Sequence, residues 1–193
     1  MRHLLLLFAL ILPLGCVPYS DTPLSAPYAE PVDPAIIGTW YWVEDDETGY
    51  LHVGIDEHSK LLRVAMVDLD RAGNLDISEF TGHTSAVDGN HYLNLKWVRP
   101  DPEAIPGYMV MKYRVHGDTL GIGLMDRDPV EQAIADGALK GEIIKGDWIS
   151  SLHITEGEAK LRAFVAHNDK ALFPEIKDVA RLRPPPVPEK PKE

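Results

Sequence analysis

The sequence predicts a mostly β domain with minor α, an antiparallel meander of roughly 8–9 short strands curled into a barrel. Two short helices are expected, at about 129–136 and 156–167. Three observations carry this reading. Between residues 35 and 183 the dominant hydrophobic period is two, residues of turn chemistry separate the apolar runs at close spacing, and only two segments show helix-start signals.

The first strand is expected over Ile36, Ile37, Gly38, Thr39, Trp40, Tyr41, Trp42 and Val43, the densest apolar and aromatic run after the N-terminus. Leu51, Val53 and Ile55 then alternate with polar residues or glycine, which is the pattern of a half-buried strand. Residues 61–67 read as helical or extended. The extended reading places Val64 and Met66 on one strand and Ile77 on the next. Leu93, Leu95 and Trp97 share a face, residues 108–115 repeat the alternation, and Leu120, Ile122 and Leu124 continue it. Asp46 to Gly49, Asp56 to Ser59, Arg71 to Asn74, Asp88-Gly89-Asn90 and Gly117-Asp118 supply turns, since these residues tolerate positive φ or bond their own backbone.

Asp128, Pro129 and Glu131 read as N-cap, first helical position and third position of a short helix that stops at Gly137. Thr155 and Glu158 have capping-box spacing. Leu161, Phe164 and Val165 then fall on one helical face until about His167. This second helix is expected to pack on the barrel wall or a mouth, with residues 179–183 returning as a closing strand. A curled antiparallel sheet hides both its apolar face and its edges, which is why closure is expected.

Composition bounds the function. A chain of 193 residues, 45% hydrophobic and 25% charged, suits one globular domain with a core. Asp and Glu total 30 against 19 Lys and Arg, a formal net charge of −11. This balance excludes the electrostatic footprint of a nucleic-acid binder, and an anionic membrane surface repels it.

Arg2 and His3 make a basic-leaning start, Leu4 to Leu12 an apolar run too short to span a bilayer, and Pro13-Leu14-Gly15-Cys16 follows. These features make a secretory signal. Cys16, the only cysteine, sits behind a small residue at the end of the apolar run, and this resembles the lipobox of bacterial lipoproteins. The resemblance implies cleavage after Gly15 and lipid attachment at Cys16. It also implies residence in the cell envelope, at the outer membrane facing the periplasm where the host has two membranes, since Val17 and not Asp follows the cysteine. The organisation expected is a signal peptide at 1–15, a Pro-rich tether from Cys16 at 16–34, the β domain at 35–183, and a disordered Pro-rich tail at 184–193. The mature body has no other cysteine, so no disulfide framework stabilises it.

With the strand order in view, the chain resembles the lipocalin-like, or calycin, proteins. Gly38-Thr39-Trp40 stands in the first strand as the Gly-x-Trp of that group does, and a meander, a late helix and a last short strand with Arg181 and Arg183 follow. The resemblance implies that Trp40 packs under Arg181 or Arg183 and closes one barrel end. It further implies a binding module for a small apolar or lipid-like ligand, in a cavity lined by Trp42, Met66, Trp97, Met109 and Met111. The alternative is a structural or protein-interaction module of the envelope with a solid core.

A second motif points elsewhere. From Asp68 to Glu79 the chain resembles the twelve-residue EF-hand calcium loop, with Asp68, Asp70, Asp76 and Glu79 as ligands and Gly73 at the sixth place. Ala72 offers no oxygen at the fifth place, and the flanks favour a hairpin over helices. No nucleophile-elbow, His-Glu-x-x-His or phosphate-loop motif occurs, so no reaction is indicated and no cofactor is expected. His52, His83, His91, His116, His153 and His167 are scattered over different elements, as surface or turn residues are. The partners expected are the membrane through Cys16, a small hydrophobic ligand or an envelope protein, and no nucleic acid.

Overall fold

The computed structural model describes residues 17–44, 47–98, 107–145 and 151–183. Its elements in chain order are β1 (Tyr19–Ser20), β2 (Gly38–Glu44), β3 (Glu47–Ile55), β4 (Leu62–Leu69), β5 (Leu75–Val87), β6 (Asn90–Trp97), β7 (Tyr108–His116) and β8 (Thr119–Leu124). After them come α1 (Arg127–Ala135), β9 (Gly141–Ile144), β10 (Ser151–Ile154), α2 (Glu158–Leu172) and β11 (Lys177–Arg181). Strands β2 to β8 each pair antiparallel with the next. β11 lies between β8 and β2 and closes an eight-stranded antiparallel barrel. β1 pairs with β7 and runs parallel to β10, which pairs with β9, so three short strands extend the barrel sheet.

Turn chemistry sets the register. Asp88 and Gly89 take φ of 48° and 77°, the two positive values that a tight hairpin between Val87 and Asn90 requires. Inward positions follow parity: Trp40, Leu51, Val53, Leu62, Val64, Phe80, Leu93, Leu95, Met109, Tyr113, Leu120 and Val179 form one buried cluster. A second cluster lies between the outer barrel wall and the helices, joining Leu24, Val87, Tyr92 and Val110 to Leu161, Val165, Leu172 and Phe173. α2 is therefore laid on the wall. Asp169 fastens it there, accepting from the Tyr92 hydroxyl at 2.6 Å and pairing with Lys112 at 2.5 Å. Burial, then Asp169, pushes the Tyr92 phenol up.

Both helix boundaries differ from expectation. α1 begins at Arg127 because Asp126, two residues earlier than the expected cap, turns its carboxylate onto the Asp128 amide at 3.0 Å. α2 begins after Gly157, with no side-chain cap at Thr155, and continues to Leu172 because Leu172 is buried against the wall. Among the described residues no helix is long and apolar enough to cross a membrane.

The largest correction concerns residues 17–33, whose prolines suggested a tether. They form a strap packed on the barrel. Val17 and Tyr19 are 5% and 6% exposed and belong to the barrel cluster, and Leu24 is fully buried. The strap runs from β7 across the outer face of β5 and β6 to the end where β2 begins. A polar network holds it: Asn94 Oδ1 accepts from the Leu24 amide at 2.7 Å, and Asn94 Nδ2 donates to Ser85 Oγ at 2.8 Å. Ser85 Oγ lies 2.6 Å from Ser25 Oγ, and His83 Nε2 donates to the Ser25 carbonyl at 2.7 Å. Arg162 of α2 clamps the same segment, donating to the carbonyls of Leu24 and Ala86 at 3.2 and 2.5 Å. Prolines lack an amide to donate, so a strap held by side chains tolerates them where a central strand does not. The expected signal peptide with Cys16, and the tail at 184–193, lie outside the described residues.

Burial holds the His83 imidazole below its ordinary value of 6.5, while the hydrogen bond to Ser25 and the charges of Glu158 and Glu30 act in the opposite direction. A base whose folded pKa is depressed binds fewer protons folded than unfolded. Its contribution to stability is therefore complete above about pH 6.5 and declines as pH falls from there toward the folded value. Urea denaturation between pH 7.5 and 4.5 should show stability declining below about pH 6.5. His83→Gln, which keeps a donor but cannot titrate, should flatten that limb, and an unchanged slope would show that His83 does not set it.

Candidate functional site

The barrel has two unlike ends, and the residues singled out in the sequence divide between them. At the end where β2 begins, Trp40 is fully buried and its Nε1 donates to the Ile36 carbonyl at 3.0 Å. The Arg181 guanidinium lies 3.9 Å over the Trp40 ring. Its Nη1 and Nη2 donate to the carbonyls of Ile37 and Ala35 at 2.9 and 2.7 Å. These carbonyls belong to a 3-10 turn, Pro34–Ile36, and the residue after it, and they have few partners within the turn itself. Arg181 thus joins stacking to bidentate donation, which lysine cannot reproduce. Asp33 caps the turn, accepting from the Ala35 amide at 2.9 Å and from the Tyr113 hydroxyl at 3.2 Å. Arg183 takes a different place: it is largely exposed and pairs with Asp118 in the β7–β8 turn.

Gly38 is required by this closure. Its φ is +144°, and a Cβ there would stand 2.6 Å from Arg181 Nη1. The glycine of the Gly-x-Trp motif is thus where the arginine fork passes.

The opposite end, toward the β4–β5 hairpin, is the mouth. Trp42, Met66, Trp97 and Met111 face inward here, half-buried against the core, and Met109, two residues nearer this end of β7 than Met111, is fully packed at 2% exposure. The five residues expected to line a cavity are therefore gathered on the inner surface. They are also packed upon. The Phe80 and Trp97 rings meet at 4.4 Å, and Trp97 Nε1 donates to the Tyr19 hydroxyl at 3.4 Å. Trp42 covers Gly49 so closely that a Cβ there would fall 1.9 Å from its ring. Val17 and Tyr19 fill the same region. Two shallow, open concavities lie outside the barrel. One, of about 360 Å³, runs beneath the strap beside Tyr28, Glu30, Lys60 and His83, and the other, of about 470 Å³, lies beside Arg114, His116 and Asp178.

The segment resembling a calcium loop is a hairpin. Leu69 pairs with Leu75 and Asp68 with Asp76, so strands stand where the motif needs helices. Asp70 Oδ1 accepts from the amides of Ala72 and Asn74, each at 2.8 Å, and Oδ2 accepts from Asn74 Nδ2 at 2.7 Å. The Asn74 bonds, foremost, hold its carboxyl below the usual range. Register is unbroken along β5, so Asp76 and Glu79, three residues apart, point to opposite faces. Glu79 pairs with Arg63 at 3.1 Å instead. The four carboxylates do not converge, which corrects the calcium reading.

The histidines are equally dispersed. His52 Nδ1 lies 2.9 Å from Thr39 Oγ1, His91 packs beside Tyr113, and His153 pairs with Asp21 at 2.7 Å. Among the described residues no three His, Cys, Asp or Glu side chains gather as a metal site. The sequence reading passed over two features. One is the buried Ser25, His83, Ser85 and Asn94 network, which leaves no sequence signature. The other is a set of apolar residues on the outer barrel face, which was legible because Val67, Leu69 and Ile77 break the alternation.

Truncating Trp40 to alanine should lower unfolding free energy by about 3–5 kcal/mol. Gly38→Ala should lower it by about 1–3 kcal/mol through backbone strain alone. Chemical denaturation reads both. A Gly38→Ala protein as stable as the parent would show that neither the backbone at residue 38 nor the Arg181 fork constrains this end of the barrel.

Comparison with protein-family models, with curated proteins and with solved structures gives no match to this chain.

Proposed function

We propose that this chain is a lipid-anchored protein of the bacterial envelope, held through Cys16, whose lipocalin-like barrel is a non-catalytic module with a solid interior that acts through its surface. The observation that carries this is the burial of Val17 and Tyr19 in the barrel cluster, directly after Cys16. That packing favours a filled barrel. Asp56 and the exposed Asp70 serve turns, and His52 and His83 sit in separate structural contacts; this supports a role other than catalysis. Without a tether the barrel stands next to the membrane surface, at the outer membrane on its periplasmic side where the host has two membranes.

A second reading has its own support. Trp42, Met66, Trp97 and Met111 keep part of their surface exposed at the mouth, and an apolar chain displacing Val17 and Tyr19 would find them. Burying one such side chain is worth about 1.5–3 kcal/mol, so the exchange is within reach of a lipid-like ligand.

Native mass spectrometry of the full chain expressed in a bacterial host separates these readings. A clean protein mass carrying a covalent lipid increment on Cys16 is expected. A non-covalent lipid or fatty acid that Trp97→Ala removes would favour the binder, and an unmodified Cys16 would overturn the anchor.

A further inference from the structure

The barrel and its strap are fastened by different chemistry. Backbone ladders and the Arg181 guanidinium, which keeps its proton at any physiological pH, seal the barrel. The strap is fastened in large part through imidazole and carboxylate groups, whose charge acid changes. Asp21 meets His153 Nε2 at 2.7 Å, and His83 Nε2 donates to the Ser25 carbonyl at 2.7 Å. Glu30 Oε2 accepts from the Ala86 amide at 2.8 Å, and Asp33 Oδ2 accepts from the Tyr113 hydroxyl at 3.2 Å. Acid therefore acts first on the strap.

His83 lies beneath the middle of the strap at 4% exposure. A carbonyl only accepts, so Nε2 carries the proton of the neutral ring and Nδ1 has none. Among the described residues no group bonds Nδ1, so a second proton puts a charge and an unpaired N–H under the strap. Cations approach from three elements. Lys96 of β6 stands 4.1 Å over the Tyr108 ring, whose centroid is 6.0 Å from that of His83, Arg162 of α2 holds the Leu24 and Ala86 carbonyls, and Lys60 of the β3–β4 turn lines the same concavity as His83. Carboxylates come from two, Glu30 of the strap and Glu158 of α2. Burial outweighs the Ser25 bond and these carboxylates, so the ring takes its second proton less readily under the strap than in water.

We propose that the strap is a pH-sensitive cover: below neutral pH, protonation of His83 lifts residues 22–31 off the outer face of β5 and β6 while the barrel stays closed. The charge costs less with the strap lifted, so the closed state is fully favoured above about pH 6.5 and loses ground as pH falls from there. Both ends of the strap stay down. A protonated His153 faces Asp21 of the strap and Glu142 of β9, and grips the start more tightly, so Val17 and Tyr19 remain in the barrel. Asp33 fastens the other end without an imidazole. Lifting the middle uncovers Ser85, Asn94 and the seat of Leu24, which shares its cluster with Val87, Tyr92, Leu161 and Val165. The face offered to other molecules thus changes with pH.

Amide hydrogen exchange, read by NMR on the isotope-labelled full-length chain and corrected for the intrinsic effect of pH, separates strap from barrel. The Leu24 amide, bonded to Asn94 Oδ1, and the Ala86 amide, bonded to Glu30, report the middle of the strap. The Asp21 amide, on the Ile154 carbonyl, reports its start, and the Leu182 amide, on the Thr39 carbonyl, reports the barrel seam. Between about pH 7.5 and about pH 5, protection at Leu24 and Ala86 is expected to fall about fivefold, the scale on which one buried imidazole acts on a local opening, while that at Asp21 and Leu182 holds. The midpoint of the fall should coincide with the titration of the His83 ring in the unaltered protein, and His83→Gln should abolish the fall. Unchanged protection at Leu24 overturns the cover. An equal fall at all four amides shows that acid opens the whole barrel, and overturns it as well. So does a midpoint that departs from the His83 titration, or a fall that survives in a His83→Gln protein whose Leu182 amide is as protected as the parent's at neutral pH.

Discussion

The barrel depends on one side chain that acts at three places. Arg181 lies on the Trp40 ring, donates to two carbonyls of the 3-10 turn and its end, and stands in the strand that seals the sheet. The seal itself is short: β11 meets β2 at two register pairs, whereas β2 meets β3 at seven. A seam with so few ladder bonds is where a barrel opens first, and an open seam exposes two sheet edges. The arginine is placed where the ladder is thinnest. Its charge is partly shielded by the tryptophan face and met by two carbonyl dipoles and by Asp118, 3.9 Å from Nε, so this half-buried cation stabilises where an unpaired one would not.

Closure by Arg181 also fixes the route of the strap. Asp33, which caps the turn beneath Arg181, accepts from Tyr113 on β7, so the strap's end is held on the far side of the barrel. Its start is held by β1 between β7 and β10. Between these points the strap relies on buried polar contacts, and among the described residues no buried side-chain nitrogen or oxygen lacks a partner. Such a network specifies one path more sharply than apolar packing does, because each misplaced partner leaves a desolvated group behind. In a body without disulfides it does the work of a covalent tie.

The barrel was legible in the sequence because its signals are local. Alternation at Leu51, Val53 and Ile55 or at Leu93, Leu95 and Trp97 depends on neighbours two residues apart, and Asp88-Gly89 declares its own turn. The strap was not legible, since its holding bonds span separations such as Leu24 to Asn94, 70 residues apart, and its prolines suggest extended, solvated chain. β9 and β10 are four residues each, too short for a period to show. α2 outran its expected end because Asp169, polar in the sequence, faces Tyr92 and Lys112 on the wall. Parity placed Trp42, Met66, Trp97, Met109 and Met111 on the inner surface, but no periodicity reports whether the space between them is filled. That is decided by residues from the strap, Val17 and Tyr19, whose place no local pattern reveals.

The outer apolar residues, Val67, Leu69 and Ile77 among them, make physical sense only together with the acidic charge. Among the described residues closure leaves β2 to β8 and β11 no free edge, and the edge that remains is the four-residue β9, so the outer face is the larger apolar surface. Net charge keeps copies apart at long range, while apolar contact acts only once surfaces touch. A free protein of this kind would rarely meet any surface through that face. Such a face selects an orientation once a surface is near: a preference of about 1.4 kcal/mol, less than the burial of one leucine, already favours one orientation tenfold.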